Sequence, residues 1–378
     1  MRANSALLTK MALLAPFLFC VSGAASARAF GQPVIYPADG TPFAIVVADF
    51  DSDGNLDLAV ANALTNDVSI LLGNGDGSFR PPVNYQVGTE PVQITLTCET
   101  VAAGSRLDLA VTNLAGNTVS VLVGNGDGTF QPAVDYGLGS GTLPYGILGS
   151  ADFNKDGNCD LVVANGHGGA SNNGNIAILL GNGDGTFQPA VNYDTLGIQP
   201  TGLASGDFNN DLSPDLAVTD GGSADVTIFL NDGSGGFTTS AYTVGVGPWS
   251  IAVYEGTNLV VGSATAYSGG KISLLYGNGD GTFKNIRNYS VGSFPVSIAT
   301  GFLNQDSTPD IAATDYNTYT LDVLLGRPAS KLGFRRPAVF PSCLYAPAIV
   351  AFDFNHDNKT DLAVACSDGV GVLLNTGP

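Results

Sequence analysis

One pattern constrains this chain more than any other: it repeats itself seven times. A proline opens each unit, at Pro42, Pro91, Pro144, Pro200, Pro248, Pro295 and Pro347, and successive prolines lie 47 to 56 residues apart. GNGDG, then Ser or Thr, then Phe, recurs at Gly73, Gly124, Gly181 and Gly277, with a looser NDGSGGF from Asn231. Asp-Leu-Ala-Val-type runs begin at Asp57, Asp108, Asp160, Asp215, Asp310 and Asp361. Units of this length that follow one another without a linker cannot each bury a core, so they must stack into one body.

Each unit reads as four short strands. In the first, FAIVVADF leads into an acidic loop, then LDLAVAN, a polar loop and VSILLG. NGDG follows as a tight turn into a fourth strand, FRPPVNYQVG, because Asn-Gly and Asp-Gly supply positive φ at low cost. Turn signals every 8–12 residues indicate antiparallel β structure rather than βαβ. The expected fold is all-β: a seven-bladed β-propeller of four-stranded antiparallel blades. Strands apolar on both faces are expected, since each blade packs between two neighbours. The last unit stops after its third strand, at VGVLLNTGP, while Phe30–Tyr36 matches the fourth-strand pattern of Phe187–Tyr193. The N-terminal strand is therefore expected to complete the last blade and close the ring, which leaves no open sheet edge.

The acidic loop is the chemically loaded part. Asp49, Asp51, Asp53 and Asp57 fall at positions 1, 3, 5 and 9, with Gly54 at 6. Oxygens at alternate positions and a glycine for the sharp turn suit a calcium ion, and the carbonyl of Asn55 at position 7 adds a donor. Equivalent sets are Asp152, Asn154, Asp156, Asn158 and Asp160; Asp207, Asn209, Asp211, Ser213 and Asp215; and Asp353, Asn355, Asp357, Lys359 and Asp361. The sixth unit keeps Asn304, Asp306 and Asp310 but has Phe302 at position 1, so a weak or empty site is expected there. The second (CETVAAGSRLD) and fifth (YEGTNL) units lack the ligands. The alternative is an Asp/Asn/Gly-rich turn that holds no ion. For GNGDG, where Asn74 and Asp76 also carry oxygens, the plain turn is the preferred reading.

The order of these motifs, D-x-[DN]-x-D-G-x-x-D, then L-A-V, then L-L-G-N-G-D-G-T-F, resembles the FG-GAP and VCBS repeat family over essentially all of the chain past its leader. The resemblance implies a propeller like the integrin α-subunit head, with calcium between first and second strands, in a bacterial-type secreted member. It implies no single activity, because such repeats occur in adhesion modules, lectins and non-catalytic parts of enzymes. Departures in the second, fifth and sixth units concern calcium there, not the fold.

Composition narrows the function. The net charge is -19, only 12% of residues are charged, and glycine numbers 50. An acidic chain argues against nucleic acid and anionic membranes as partners. Residues 1–27 read as a signal peptide: Arg2 and Lys10, then an apolar stretch too short to span a bilayer, then Ala25-Ser26-Ala27. A buried N-terminal element and a lipid anchor on Cys20 are the alternatives. Residues 28–378 then form a single domain, monomeric, without a membrane span, and secreted, periplasmic or on the cell surface. Four cysteines follow the leader; blade topology favours Cys343–Cys366 and Cys98–Cys159, against four buried thiols.

Acidic loops and NGDG turns are expected on one face of the ring. The opposite face carries the long segments from Asn165 and Gly262 and the aromatics Tyr145, Trp249, Tyr267, Phe294, Tyr316 and Tyr319. That face is expected to bind a protein or carbohydrate partner; the alternative is that these rings pack between blades. An exported polysaccharide hydrolase or lyase is the second functional reading. Against it, the chain has two histidines, His167 and His356, and no G-x-S-x-G, H-E-x-x-H or P-loop.

Overall fold

The computed structural model describes residues 30–97, 106–167, 174–263, 269–304, 306–328 and 333–377, with the side chains of 148–150 and 285 left undescribed. The expected leader at 1–27, Cys98, Tyr267 and most of the two long segments on the expected partner face lie outside the described residues. Among the described residues every element is a strand, and the strands form seven four-stranded antiparallel sheets. In six sheets the strand order follows the sequence. The seventh is ordered Val34–Tyr36, Gly369–Leu373, Asp361–Cys366, Ile349–Phe352, so the N-terminal strand completes the last blade. Val34 pairs with Val372 and Tyr36 with Val370.

First strands of successive blades pack against one another, and Pro42–Ala48 packs on Ile349–Phe352 to close the ring. Six first strands begin with a register shift at the proline, as between Pro42 and Ala44. Proline has no N–H to give the ladder, which confines it to such an irregular start. Second and third strands are buried on both faces; Asp57–Asn62 and Asp67–Leu71 have no exposed residue. Fourth strands differ from the expectation. They form the outer wall, and Val83, Val134, Val191 and Val339 are each more than half exposed. A blade has two neighbours only along its inner strands, so only those are apolar on both faces.

Aromatic rings fill the seams between blades. An aromatic at the end of a first strand and the Tyr of the fourth strand in one blade meet the Phe at or before the start of the fourth strand in the next. Phe50 and Tyr85 both lie edge-on to Phe130; Phe208 and Tyr242 meet Phe283; Tyr254 and Tyr289 meet Phe334. At the ring's junction Phe354 and Tyr36 enclose Phe79. Phe30, 2% exposed, takes the same place against Phe340. Tyr85, Tyr136 and Tyr289 also accept the backbone N–H of the neighbouring Phe at 3.1–3.3 Å.

The NGDG turn is longer than a two-residue hairpin. Asn74 N–H bonds Ser78 O at 2.9 Å, and Gly75 and Gly77 take φ of 79° and 83°. Phe79 forms only a bridge to Gly73, and the fourth strand starts later, at Val83. Asp76 accepts from the N–H and hydroxyl of Ser78, which holds the turn by itself. A side chain on Gly73 would strike Leu56 O, and one on Gly75 the Asn55 side chain, so the turn lies tight on the acidic loop.

Cys343 and Cys366 are joined, as expected, across 23 residues. Cys159 is also disulfide-bonded. The link ends the second strand of the seventh blade, where the other blades carry Asn62, Asn113, Asn165, Asp220, Ser263 and Asp315.

Candidate functional site

Each acidic loop follows a first strand and lies at one end of its blade. In the first blade Asp49 accepts the N–H groups of Asp53 and Gly54 at 3.1 and 2.9 Å. Asp51 accepts Asp53 N–H at 3.2 Å, and Asp53 accepts Asn55 N–H at 2.8 Å. These bonds bend the loop so that its oxygens converge. One carboxylate oxygen each of Asp49, Asp51 and Asp57 lie within 4.8 Å of one another. Burial and the neighbouring Asp53 push the Asp51 carboxyl up, whereas the Asn55 N–H holds Asp53 low.

The loops of the third, fourth and seventh blades repeat this bond for bond. Position 1 accepts from positions 5 and 6 through Asp152, Asp207 and Asp353. Position 3 is the amide Asn154, Asn209 or Asn355, whose oxygen accepts from position 5. Position 5 accepts from Asn158, Ser213 or Lys359 at position 7. Lys359 does not place its charge in the loop, since its Nζ donates to Gly377 O at 2.8 Å. Where Gly54 and Gly157 stand at position 6, Leu212 and Asn358 adopt φ of 64° and 62°, so the loop shape survives without glycine. The donor set is oxygen only, as a hard divalent cation requires.

The last aspartate has a second task. Asp57 is fully buried, and its two oxygens accept Phe50 N–H and Gly73 N–H, both at 2.7 Å. It thereby ties the end of the first strand to the end of the third. Asp160, Asp215, Asp310 and Asp361 make the same pair of bonds, and Asp108 makes the second. The fifth blade uses Asn258 toward Gly277 N–H. Burial pushes Asp57, Asp310 and Asp361 up to about 6 against the pull of these N–H groups. The clasp thus exists in blades without the other ligands, which spacing alone did not reveal.

Two features bear on the first loop alone. Arg80, from the NGDG side, reaches Asp51 at 3.6 Å and Asp53 at 3.4 Å. His356, from the seventh loop, places Nε2 3.2 Å from Asn55 Oδ1, so these two loops touch across the ring's junction.

At the other end of the ring the expected aromatics converge. Ring centroids run Tyr145–Trp249 at 5.6 Å, Trp249–Phe294 at 6.2 Å and Phe294–Tyr316 at 6.4 Å. The series continues through Tyr345 to Tyr319, each step 5.4 Å. All six rings are half-buried. Five were singled out in the sequence, and Tyr345 joins them. Blades three, five, six and seven contribute, so the arc is assembled from residues far apart in the chain. Burial pushes the Tyr316 phenol up, and the bond with Tyr345 does the same for Tyr319.

Comparison with known proteins agrees with this geometry. A family model described as an FG-GAP-like repeat matches residues 49–104, 105–163 and 152–218. No curated protein matches in sequence. Solved structures with this shape include a chain from BBS1N in complex with ARL6DN, at 15% identity, covering 92% of this chain and 97% of that one, with a TM-score of 0.64. Kuenenia stuttgartiensis hydrazine synthase gives 13% identity, 91% and 98% coverage and 0.64. A functionally unknown protein from Desulfotomaculum acetoxidans gives 11%, 80%, 90% and 0.55. This chain is a seven-bladed β-propeller that carries FG-GAP-like repeats in three places.

Proposed function

We propose that the protein is an exported, calcium-binding propeller that acts as a non-catalytic binding module for a protein or carbohydrate partner. The aromatic arc from Tyr145 to Tyr319 carries this reading. Half-buried rings offer large apolar area at low entropic cost, and their exposed parts suit sugar faces or protein side chains. The exposed, uncharged Asn317 and Thr318 stand at its edge, held in place by Asp315 Oδ1, which accepts both of their backbone N–H groups. The four complete acidic loops hold calcium at the far end, where the ion stiffens the blades and does not touch the partner. The test is a glycan array and a cell-surface binding assay with calcium present. Trp249→Ala and Tyr145→Ala each lower binding about tenfold or more while the melting temperature holds. A partner that binds both variants as tightly as the parent removes this face from the reading.

A further inference from the structure

The outer wall between the fifth and sixth blades carries a cluster of basic residues. Lys284, Arg287, Arg327, Arg335 and Arg336 are five of only 14 Lys and Arg, in a chain of net charge -19. All five are exposed, and Arg327, Arg335 and Arg336 form no ion pair among the described residues. At the centre is a cavity of about 310 Å3 lined by Arg287, Asn288, Tyr289, Arg327 and Phe334.

Among the described residues, every polar side chain on this lining has an N–H or O–H to donate. Two arginines, Arg287 and Arg327, line it. The Asn288 Oδ1 is taken by the Ser273 hydroxyl at 2.7 Å, which leaves its amide N–H groups free. The Tyr289 oxygen accepts Phe334 N–H at 3.1 Å, which leaves its own proton to give. Among the described residues no carboxylate lines the cavity. Beneath the donors, Tyr289 and Phe334 pack edge to face at 5.2 Å and Phe334 is 3% exposed, an apolar floor. Arg287 is held near the Tyr276 ring, 6.0 Å from its centroid.

We propose that this cavity binds an oxyanion, a sulfate or carboxylate, and that the group is carried by an acidic saccharide unit whose ring rests on the aromatic floor. Paired guanidiniums match such oxygens two at a time, which a lysine patch does not do. The site is separate from the aromatic arc, and neither depends on the other. Against a strongly acidic chain the attraction is local, so it selects a group that enters the cavity rather than any polyanion.

The test is calorimetric titration of the whole chain with sodium sulfate, sodium glucuronate and sodium chloride at constant ionic strength. Saturable binding of sulfate or glucuronate, absent for chloride, is expected. Arg287→Gln and Arg327→Gln each weaken it about tenfold or more, and Arg336→Gln, outside the cavity, by less than about twofold. Arg287→Lys keeps the charge but not the fork and weakens it nearly as far. Glucuronate tighter than sulfate assigns the anion to a saccharide; sulfate equal or tighter overturns the saccharide and keeps the oxyanion. Absence of saturable binding, or an equal loss in Arg336→Gln, overturns the site.

Discussion

The acidic loops of the first and sixth blades have nearly the same hydrogen bonds and different chemistry. In both, position 3 accepts from position 5, position 5 from position 7, and the last aspartate clasps two strand ends. Only the first has a carboxylate at position 1; in the sixth, Phe302 stands there, half exposed. The loop is therefore shaped by its own side chains accepting its backbone N–H groups, and Asp310 serves the fold whether or not an ion is held. Asp49 and Asp51 add negative charge that the sixth loop, with Phe302 and Asn304 in their places, folds without.

Chelation separates these layers most forcefully. At free calcium about 100-fold above the dissociation constant, each independent site adds roughly 2.7 kcal/mol. With calcium in the four complete loops, as proposed, EDTA is expected to lower the melting temperature steeply. Substituting Asp49, Asp152, Asp207 and Asp353 together by Ala abolishes that shift, while Asp306→Ala in the sixth blade leaves it intact. A melting curve indifferent to EDTA would mean that the charge in the first loop has no ion to serve.

The clasp is the next largest effect and should not distinguish the two blades. Asp57→Ala and Asp310→Ala each strand two buried N–H groups and cost about 3 kcal/mol or more, measured by urea unfolding in EDTA. A much larger loss for Asp57→Ala than for Asp310→Ala would break the equivalence.

A subtler test converts one loop into the other. Phe302→Asp restores position 1 beside Asn304, Asp306 and Asp310, and raises bound calcium by one ion per chain in equilibrium dialysis. The added site then adds roughly 2.7 kcal/mol at 100-fold excess ion. Unchanged stoichiometry would show that Phe302 is not what sets the sixth loop apart.

How much of this was legible follows from how far each feature reaches along the chain. The blades, the closure by Phe30–Tyr36 and the loop spacing are local patterns with a fixed period, and they read directly from the residues. The Cys343–Cys366 link followed from blade topology. The seams were not legible, although F-x-P-x-V-x-Y recurs, because nothing local says that Tyr85 meets Phe130 of the next blade. Exposure of the fourth strands was missed because Val83 and Val134 look no different in sequence from Val60 or Val111. The cavity at Arg287 and Arg327 joins residues 40 apart in two blades, across a seam that no motif marks.

The mildest effect lies at the opposite end of the second strands. Asn62 donates from Nδ2 to Asp67 Oδ1 and Ser69 Oγ, both at 2.8 Å. Asp220 holds the same place in the fourth blade, across from Asp225, and its buried Oδ1 has no partner. The Thr227 hydroxyl donates to its Oδ2 at 2.6 Å, and burial with the nearby Asp225 charge pushes its carboxyl up to about 6. A folded-state value above the ordinary 3.8 means that the native state holds its proton more tightly than the unfolded chain does. This residue's contribution to stability therefore falls as pH rises from about 4 to about 6 and is level above that range. Asp220→Asn turns repulsion from Asp225 into a hydrogen bond of the Asn62 kind. It is expected to raise stability at pH 7 by roughly 2 kcal/mol and to do little at pH 4. Urea unfolding at the two pH values measures this, and an equal gain at both would assign it to packing rather than to the buried charge.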